Sequence, residues 1–277
     1  MKKKFTAIIS MVLAFVMLFS TVAFAGNGDV FLALGEDLDA KGMTTVLGYF
    51  GLDSLDDCNI TYITNADEHK YLDGKIDYGR IGTQSLSCVM IKKSGGSKIN
   101  VELHNINYCT EGMYVNALAT AGVKGAKVIV AGPYEISGTA ALVGTVKAYE
   151  KMTGETVGED VLDAAVEEIT TTGDIGEEIG DKNAVESIIA DVKAQLASNP
   201  NMSDSDIMDA IRAAASKAGV TLSEANIEKI KNMITKLKGL DIDWSNIKGQ
   251  SQALLSKLGG SGIFSQIINW FKSLFNR

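Results

Sequence analysis

The segment AKVIVAGPYEISGT, residues 126–139, decides the fold class of this chain. Its first six residues form a short apolar run typical of a buried β-strand, and the glycine, proline and serine that follow are typical of a turn. A helical pattern then extends from Ser137 to about Met152. A strand, a turn and a helix in this order predict a domain that contains both a sheet and helices.

The sequence upstream of this segment alternates between helical and extended patterns. Two strand patterns flank Ser94-Gly95-Gly96-Ser97 as the arms of a β-hairpin would. Helices are marked by capping residues at their starts and by glycines at their ends. The predicted elements are a helix capped by Asp37 or Asp39 and ended by Gly51, a strand over 59–64, hairpin strands over 87–92 and 99–104, and a helix from Thr110 or Glu111 to Gly122.

The character of the sequence changes after Gly154. β-Branched alternation ends there and amphipathic stripes separated by capping residues follow, so residues 155–258 are predicted to form an all-helical bundle. The acidic, glycine-rich stretch 173–181 is expected to be a hinge between two of these helices. We therefore expect an α+β (or α/β) N-terminal domain, residues 26–154, and an all-α region after it, α-rich overall. One of these predicted helices has an apolar face that is expected to lie in the core of the bundle. It contains Leu222, Ile227, Ile230, Met233, Ile234 and Leu237.

The first 25 residues carry the three parts of a secretory signal peptide. Three lysines precede an apolar stretch over 7–19, and Ala23-Phe24-Ala25 is a small-residue cleavage site. Cleavage near Ala25 would remove three positive charges from a chain whose formal net charge is −8 at pH 7. Such an acidic exported chain is not expected to bind nucleic acid.

The C-terminus combines a flexible linker with a short amphipathic helix. Gly-Gly-Ser-Gly over 259–262 is the linker, and residues 263–277 are predicted to be helical. A helix of that length reaches about 22 Å, too short to span a bilayer but able to lie on its surface. It either packs on the protein core or contacts a membrane or protein partner, through an apolar face made of Ile263, Phe264, Ile267, Ile268, Trp270, Phe271, Leu274 and Phe275.

The cysteines and histidines offer little support for thiol or metal chemistry. Cys58, Cys88 and Cys109 are an odd number without a CxxC spacing, so at most one intramolecular disulfide can form, and we expect buried small apolar side chains. A thiol nucleophile would need Cys109 at a helix start with His104 and Asn107 beside it. The sequence predicts no metal site and no cofactor.

Two segments contain the residues best placed for a polar site. Residues 130–139 have a strand-to-helix order that resembles an anion cradle, but they lack the lysine and glycines that position a phosphate. The simpler expectation is that Ser137 or Thr139 caps the following helix. An alternative site would combine this turn with a predicted loop over 65–71. Its candidate residues are Glu68, His69, Tyr71, Ser137 and Thr139.

Several short segments also form an ordered pattern along the chain. They are LGEDL (34–38), NADEHKYL (65–72), NIN (105–107), YVNALATAG (114–122), and YEISGTAALVG (134–144) with KAYE (147–150) and TG (153–154). The pattern resembles an uncharacterised secreted family of Gram-positive bacteria, domain of unknown function 1002. The resemblance implies an extracytoplasmic protein and supplies no catalytic residues, since the family has no established activity.

The sequence as a whole favours a secreted or cell-envelope-associated binding protein without enzymatic activity. The alternative is an extracytoplasmic hydrolase acting on an envelope polymer. A polar cleft with converging carboxylates or His69 would favour the hydrolase. The ligand, the oligomeric state and the cysteine pairing stay open at this point.

Overall fold

The computed structural model describes residues 30–259, which form one mixed sheet followed by a helical region. The predicted signal peptide, the linker beyond Gly259 and the C-terminal amphipathic helix lie outside the described residues. Five strands form the sheet in the order β2-β1-β3-β5-β4. They are β1 (Val30–Gly35), β2 (Asn59–Ile63), β3 (Cys88–Lys93), β4 (Ile99–Ile106) and β5 (Ala126–Ile136).

The helices confirm the predicted fold class, an N-terminal sheet domain with helices and then an all-helical region. Those of the sheet domain are α1 (Ala40–Phe50), α2 (Asn65–Leu72), α3 (Tyr78–Ile81), α4 (Glu111–Thr120) and α5 (Ala140–Thr153). Those of the helical region are α6 (Glu159–Ile179), α7 (Lys182–Ser198), α8 (Asp204–Ala218), α9 (Glu224–Lys238) and α10 (Trp244–Gly259).

The predicted hairpin is wrong, because β5 lies between β3 and β4. β5 is antiparallel to β3 and parallel to β4. Residues 128–131 of β5 are buried on both faces of the sheet, as a central strand requires, whereas Glu102 leaves one face of β4 partly exposed, as an edge strand allows. The turn after β3 reaches across the start of β5, and the Ser94 N–H donates to Gly125 O (2.7 Å).

Helices cover both faces of the sheet. α1 packs on one face, where Leu32, Leu34 and Phe50 are buried in one cluster. α4 and α5 pack on the other face, against Ala33 and Val89. Leu32 and Leu34 thus point to one side and Ala33 to the other, as the two-residue period of a strand requires. The apolar stripe predicted for α9 is buried in a separate cluster formed by the helical region.

Capping residues set the bounds of most helices. Asp39 caps α1 by accepting a hydrogen bond from the Gly42 N–H (2.6 Å), and Gly51 ends α1 in the left-handed conformation. Thr110 caps α4 as predicted. Ser223 caps α9 by accepting a hydrogen bond from the Asn226 N–H (3.2 Å).

The predicted hinge over 173–181 is wrong, because most of it lies within α6, which continues to Ile179. The glycines there are needed for close packing. A Cβ at Gly173 would overlap the Tyr108 ring, and a Cβ at Gly176 would overlap Lys182. These two glycines therefore let α6 approach the sheet domain and the start of α7, at the usual cost in helix propensity.

A buried ion pair joins the two parts of the molecule. Lys193 on α7 donates to Glu168 on α6 (2.7 Å), and to the Thr120 hydroxyl and Asn116 carbonyl oxygen on α4 (2.8 Å each). Thr120 in turn donates to the second oxygen of Glu168 (2.6 Å). All three Lys193 donors are used, so the burial of two charges is compensated by hydrogen bonds on every side.

From Val30 to Gly259, no helix is both long and apolar enough to cross a bilayer.

Candidate functional site

The carboxyl ends of β1, β2 and β5 meet at one end of the sheet. β1 and β2 are parallel, β3 runs antiparallel to both β1 and β5, and the loop that precedes β3, residues 82–87, therefore lies at this same end. Ligand sites of α/β proteins commonly lie outside the carboxyl ends of strands. Two adjoining cavities occupy this place, and we refer to them together as the sheet-end cleft.

The first cavity has a volume of about 240 Å³ and is lined by polar side chains from four parts of the chain. α2 supplies Glu68, α3 supplies Arg80, the loop before β3 supplies Gln84, and the β5–α5 turn supplies Ser137 and Thr139. We call it the Glu68 cavity. The structure thus brings together three of the five residues that the sequence singled out, although they come from positions about 70 apart in the chain.

Glu68 lies on a helix, so the predicted loop over 65–71 is wrong. Thr64 and Asp67 form a capping box in which each side chain accepts from the backbone N–H of the other. Asp67 also accepts from Lys147 on α5 (2.7 Å), which fixes the start of α2 against α5. The next residue, Glu68, consequently points inward and is 2% exposed.

The Glu68 carboxyl has an incomplete set of hydrogen bonds. Asn65 Nδ2 donates to its Oε2 over 3.4 Å. Its Oε1 and the neighbouring Ser85 Oγ form no well-aligned hydrogen bond with any described residue. Burial, and to a smaller extent the charge of Asp37, raises the Glu68 pKa to about 7, although polar contacts with Ser85 and Asn65 oppose the shift. Near neutral pH this carboxyl can therefore donate or accept a proton.

The hydroxyls of Ser137 and Thr139 also face the cavity. Their predicted role in capping α5 is wrong, because Thr139 at the cap position has a helical backbone and makes no capping hydrogen bond. The two hydroxyl oxygens lie 3.3 Å apart. Gly138 between them adopts a positive φ of 84°, and its carbonyl accepts from the Tyr114 hydroxyl, so the turn is fixed from behind.

The loop before β3 is held in place by backbone contacts. The Ser85 N–H donates to Asp37 Oδ2 (2.8 Å), and the Asp37 N–H donates to Ser85 O (3.1 Å). Gly35 permits this approach, since a Cβ there would overlap the Ser85 carbonyl. The wall between the two cavities is therefore rigidly attached to the end of β1.

His69 and Tyr71 lie outside the lining of the Glu68 cavity. His69 bridges two acceptors, Asp73 Oδ1 (2.6 Å) and Gly82 O (3.2 Å), and the hydrogen bond that it donates to Asp73 raises the His69 pKa. An imidazole that faces two acceptors is satisfied in its protonated form. Tyr71 packs at the edge of the core beside Lys70. Both residues support the fold around the cleft and do not line it.

The second cavity, about 430 Å³, adjoins the first and shares Gln84 and Leu86 with it. Its other walls are Asp37 and the start of α1 on one side, and Pro133 and Tyr134 of β5 on the other. We call it the Tyr134 cavity. Tyr134 is 58% exposed and its ring is available to a ligand. Sequence reasoning did not identify this part of the site, although an aromatic residue after a Gly-Pro pair in a strand is an available signal.

The thiol set proposed from the sequence is not assembled. Cys109 is buried, and burial raises its pKa to about 12, the opposite of what a nucleophilic thiolate needs. His104 stacks on Tyr49 with ring centroids 4.4 Å apart and contacts Glu102 (2.9 Å). All three cysteines are free thiols. In the part of the chain that the structure describes, no three His, Cys, Asp or Glu residues are grouped as metal ligands.

Comparison with known proteins identifies relatives without a known function. A family model described as "Protein of unknown function (DUF1002)" matches residues 34–254. The chain is 38% identical over 267 residues to the uncharacterized protein YpuA of Bacillus subtilis, an alignment that covers 92% of this chain and 90% of YpuA. No solved structure matches significantly.

Proposed function

Since the chain belongs to the DUF1002 family, whose function is unknown, we propose a role from its own geometry: it is an exported protein that binds a polar component of the cell envelope in the sheet-end cleft. Export follows from the lysines, apolar stretch and Ala-Phe-Ala site of residues 1–25. The Bacillus relative is consistent with a Gram-positive envelope as the place of action.

One observation carries the binding role. Glu68, Ser137 and Thr139 line one cavity, and the buried Oε1 of Glu68 has no well-formed hydrogen bond with a described residue. A buried carboxyl oxygen without a well-formed hydrogen bond costs stability unless something else binds it. A ligand with hydroxyl or amide groups would supply the missing partners.

The test is co-sedimentation of the chain from Gly26 to Arg277 with purified Gram-positive cell walls. We expect the wild type to sediment with the walls and Ser137→Trp, which fills the Glu68 cavity, to remain in solution. Ser216→Trp places the same ring on an exposed position of α8 and is the matched control. Retention of Ser137→Trp at the wild-type level, with both variants folded by circular dichroism, would contradict the proposed site.

A hydrolase is the second candidate, and the pair of Glu68 with Asp37 is the observation that favours it. Two carboxyls in different environments are the usual arrangement for acid and base in glycoside hydrolysis. Glu68 has a pKa of about 7, as an acid would need, and Asp37 is close enough to influence that pKa. Incubation with cell walls followed by measurement of new reducing ends separates the two functions. Release that disappears in Glu68→Gln would establish the hydrolase, and no release is expected from a binding protein.

The amphipathic helix that the sequence predicts over residues 263–277 is proposed as a second contact with the envelope. Its apolar face of isoleucine, phenylalanine and tryptophan suits a membrane surface. Liposome co-sedimentation of the chain from Gly26 to Arg277, beside a truncation ending at Gly259, tests this. Binding lost on truncation supports a membrane contact, whereas no binding together with a lower melting temperature of the truncated chain would assign the helix to the core.

A further inference from the structure

The two cavities of the sheet-end cleft adjoin each other, so one elongated ligand could extend from one into the other. They lie on either side of Gln84 and Leu86. The Glu68 cavity, at about 240 Å³, is smaller than the roughly 300 Å³ at which ligand sites usually begin, and the Tyr134 cavity, at about 430 Å³, lies within the usual range. A ligand that uses both would have at least two units, one on each side of this wall.

Most charged groups around the cleft are already engaged by the protein, whereas the exposed Lys41 on the lining of the Tyr134 cavity forms no ion pair with a described residue. Arg80 is paired with both carboxylate oxygens of Glu177 (3.1 and 3.0 Å). Asp37 accepts from the Ser85 N–H (2.8 Å) and Asp39 from the Gly42 N–H (2.6 Å). The three carboxyls that line the cleft, those of Glu68, Asp37 and Asp39, outnumber Lys41 and, together with the net charge of −8, oppose an anionic ligand. An uncharged ligand is therefore the best match.

The remaining polar groups are those that recognise hydroxyl and amide groups. Around the Glu68 cavity they comprise the side chains of Thr83, Gln84, Ser87, Ser137 and Thr139, with the Glu68 carboxyl at the base. The hydroxyl and amide side chains can each donate and accept hydrogen bonds. The carboxyl always accepts, and it also donates when it is protonated. A ring that carries several hydroxyls in fixed directions can satisfy such a set.

The Tyr134 cavity adds an apolar surface beside this polar one. The Tyr134 ring is largely exposed and lies next to Pro133 in the cavity wall. Sugar rings have one polar edge and an apolar face of C–H groups, and the apolar face stacks on aromatic rings. A tyrosine combines a large apolar face with a polar end and loses little conformational entropy on binding.

We propose that the sheet-end cleft binds an uncharged saccharide chain, with one sugar residue in the Glu68 cavity and a neighbouring residue against Tyr134. The proposal rests on the function proposed above and names its ligand class. It requires that a saccharide of several residues bind more tightly than a single sugar, because the single sugar can occupy one cavity alone.

The experiment is isothermal titration calorimetry of the chain from Gly26 to Arg277. The probes are N-acetylglucosamine, its β-1,4-linked tetramer, the β-1,4-linked glucose tetramer and adenosine. We expect at least one tetramer to bind at least tenfold more tightly than N-acetylglucosamine. Tyr134→Ala should weaken the tetramer at least tenfold, and Glu68→Gln should weaken it as well.

Tyr62→Ala is the matched control, because Tyr62 is 56% exposed on the edge strand β2 and does not line either cavity. Equal affinity of Tyr134→Ala and Tyr62→Ala for the tetramer would overturn the two-cavity arrangement. Binding of adenosine alone, or of no probe, by a chain that still binds cell walls through the cleft would overturn the saccharide and leave the proposed function standing. Failure of both wall binding and saccharide binding would reject both proposals.

Discussion

Two buried glutamates, one at the domain interface and one at the end of the sheet, differ in how completely their carboxyls are hydrogen-bonded. Glu168, between the sheet domain and the helical region, is fully buried and has a lysine and a threonine as short-range partners. Glu68, at the end of the sheet, is almost as buried, yet its best hydrogen bond is 3.4 Å long and one oxygen lacks a well-formed partner among the described residues. A cavity of about 240 Å³ lies beside Glu68.

The contrast separates polar groups that maintain the architecture from those that are available for binding. At the domain interface every donor of Lys193 is used, so the network fixes the position of α6 and α7 against α4. In the sheet-end cleft the Glu68 carboxyl, which lines a cavity, has one oxygen without a well-formed hydrogen bond to a described residue. Such groups reduce stability in the free protein and are typical of functional sites.

The largest expected effect is at the interface. Lys193→Met leaves Glu168 buried without its cation, and we expect the free energy of unfolding, measured in urea, to fall by about 3–5 kcal/mol. The double variant Lys193→Met with Glu168→Leu removes both charges and should recover most of this loss. A double variant as unstable as the single one would show that the network does not act as a charge pair.

Added side-chain volume should also destabilise the protein more at the interface than in the cleft. A Cβ at Gly112 on α4 would overlap the Glu186 carboxylate of α7, so Gly112→Ala is expected to cost about 1–3 kcal/mol. Gly48→Ala on the exposed side of α1, where a Cβ meets no atom within 4 Å, should instead stabilise by about 0.5–1 kcal/mol. Ser137→Val in the cleft should change stability by less than about 1 kcal/mol. Equal losses for Gly112→Ala and Ser137→Val would remove the distinction between the regions.

The raised pKa of Glu68 should make the stability of the protein depend on pH. Because the Glu68 pKa rises from 4.5 to about 7 on folding, its contribution is complete below pH 4.5 and is lost as pH rises to about 7. Glu68→Gln stays neutral, so it should match the wild type near pH 4 and exceed it by about 3 kcal/mol at pH 8, at roughly 1.4 kcal/mol per pKa unit. Urea unfolding at both values measures the difference. A constant difference between the two pH values would mean that Glu68 titrates normally.

The smallest expected effect concerns His69 at the rim of the cleft. Asp73 raises the pKa of His69, so Asp73→Asn should lower that pKa toward its ordinary value, as measured by the NMR titration of the imidazole protons. Stability should change little, since exposed ion pairs contribute little. Lys70→Gln, which removes the neighbouring pair with Glu159, is a control that should leave the His69 titration unchanged. An unchanged His69 pKa in Asp73→Asn would contradict the observed bridge.

Local signals in the sequence predicted several features of the fold. Asp39 and Thr110 cap the helices that their positions indicate, and the fold class follows from the change of pattern after Gly154. The loss of the hairpin shows the limit of such signals, because strand order depends on β5, which is thirty residues further along the chain. The hinge prediction failed for the same reason: glycines in α6 serve contacts with Tyr108 and Lys182 that no local pattern reveals.

The candidate site was predicted in part. Glu68, Ser137 and Thr139 were named from the sequence, but the helix that buries Glu68 was taken for a loop, although its Thr-x-x-Asp capping box at 64–67 was present. Gln84 and Leu86 were missed because they carry no motif, and Tyr134 was missed although it follows a Gly-Pro pair. Their role depends on the meeting of strand ends in the folded sheet, which is a property of topology and not of local sequence.

The assignment of Glu68 to a binding site and of Glu168 to the architecture is tested most directly by comparing Glu68→Gln with Glu168→Gln in urea unfolding at pH 8. Both substitutions replace a buried carboxyl by an amide of the same size. We predict that Glu168→Gln loses several kcal/mol, about 3–5 by the usual cost of breaking a buried pair, while Glu68→Gln is more stable than the wild type. Equal losses for the two variants would show that Glu68 maintains the fold as Glu168 does, and would contradict the assignment of the sheet-end cleft as a binding site.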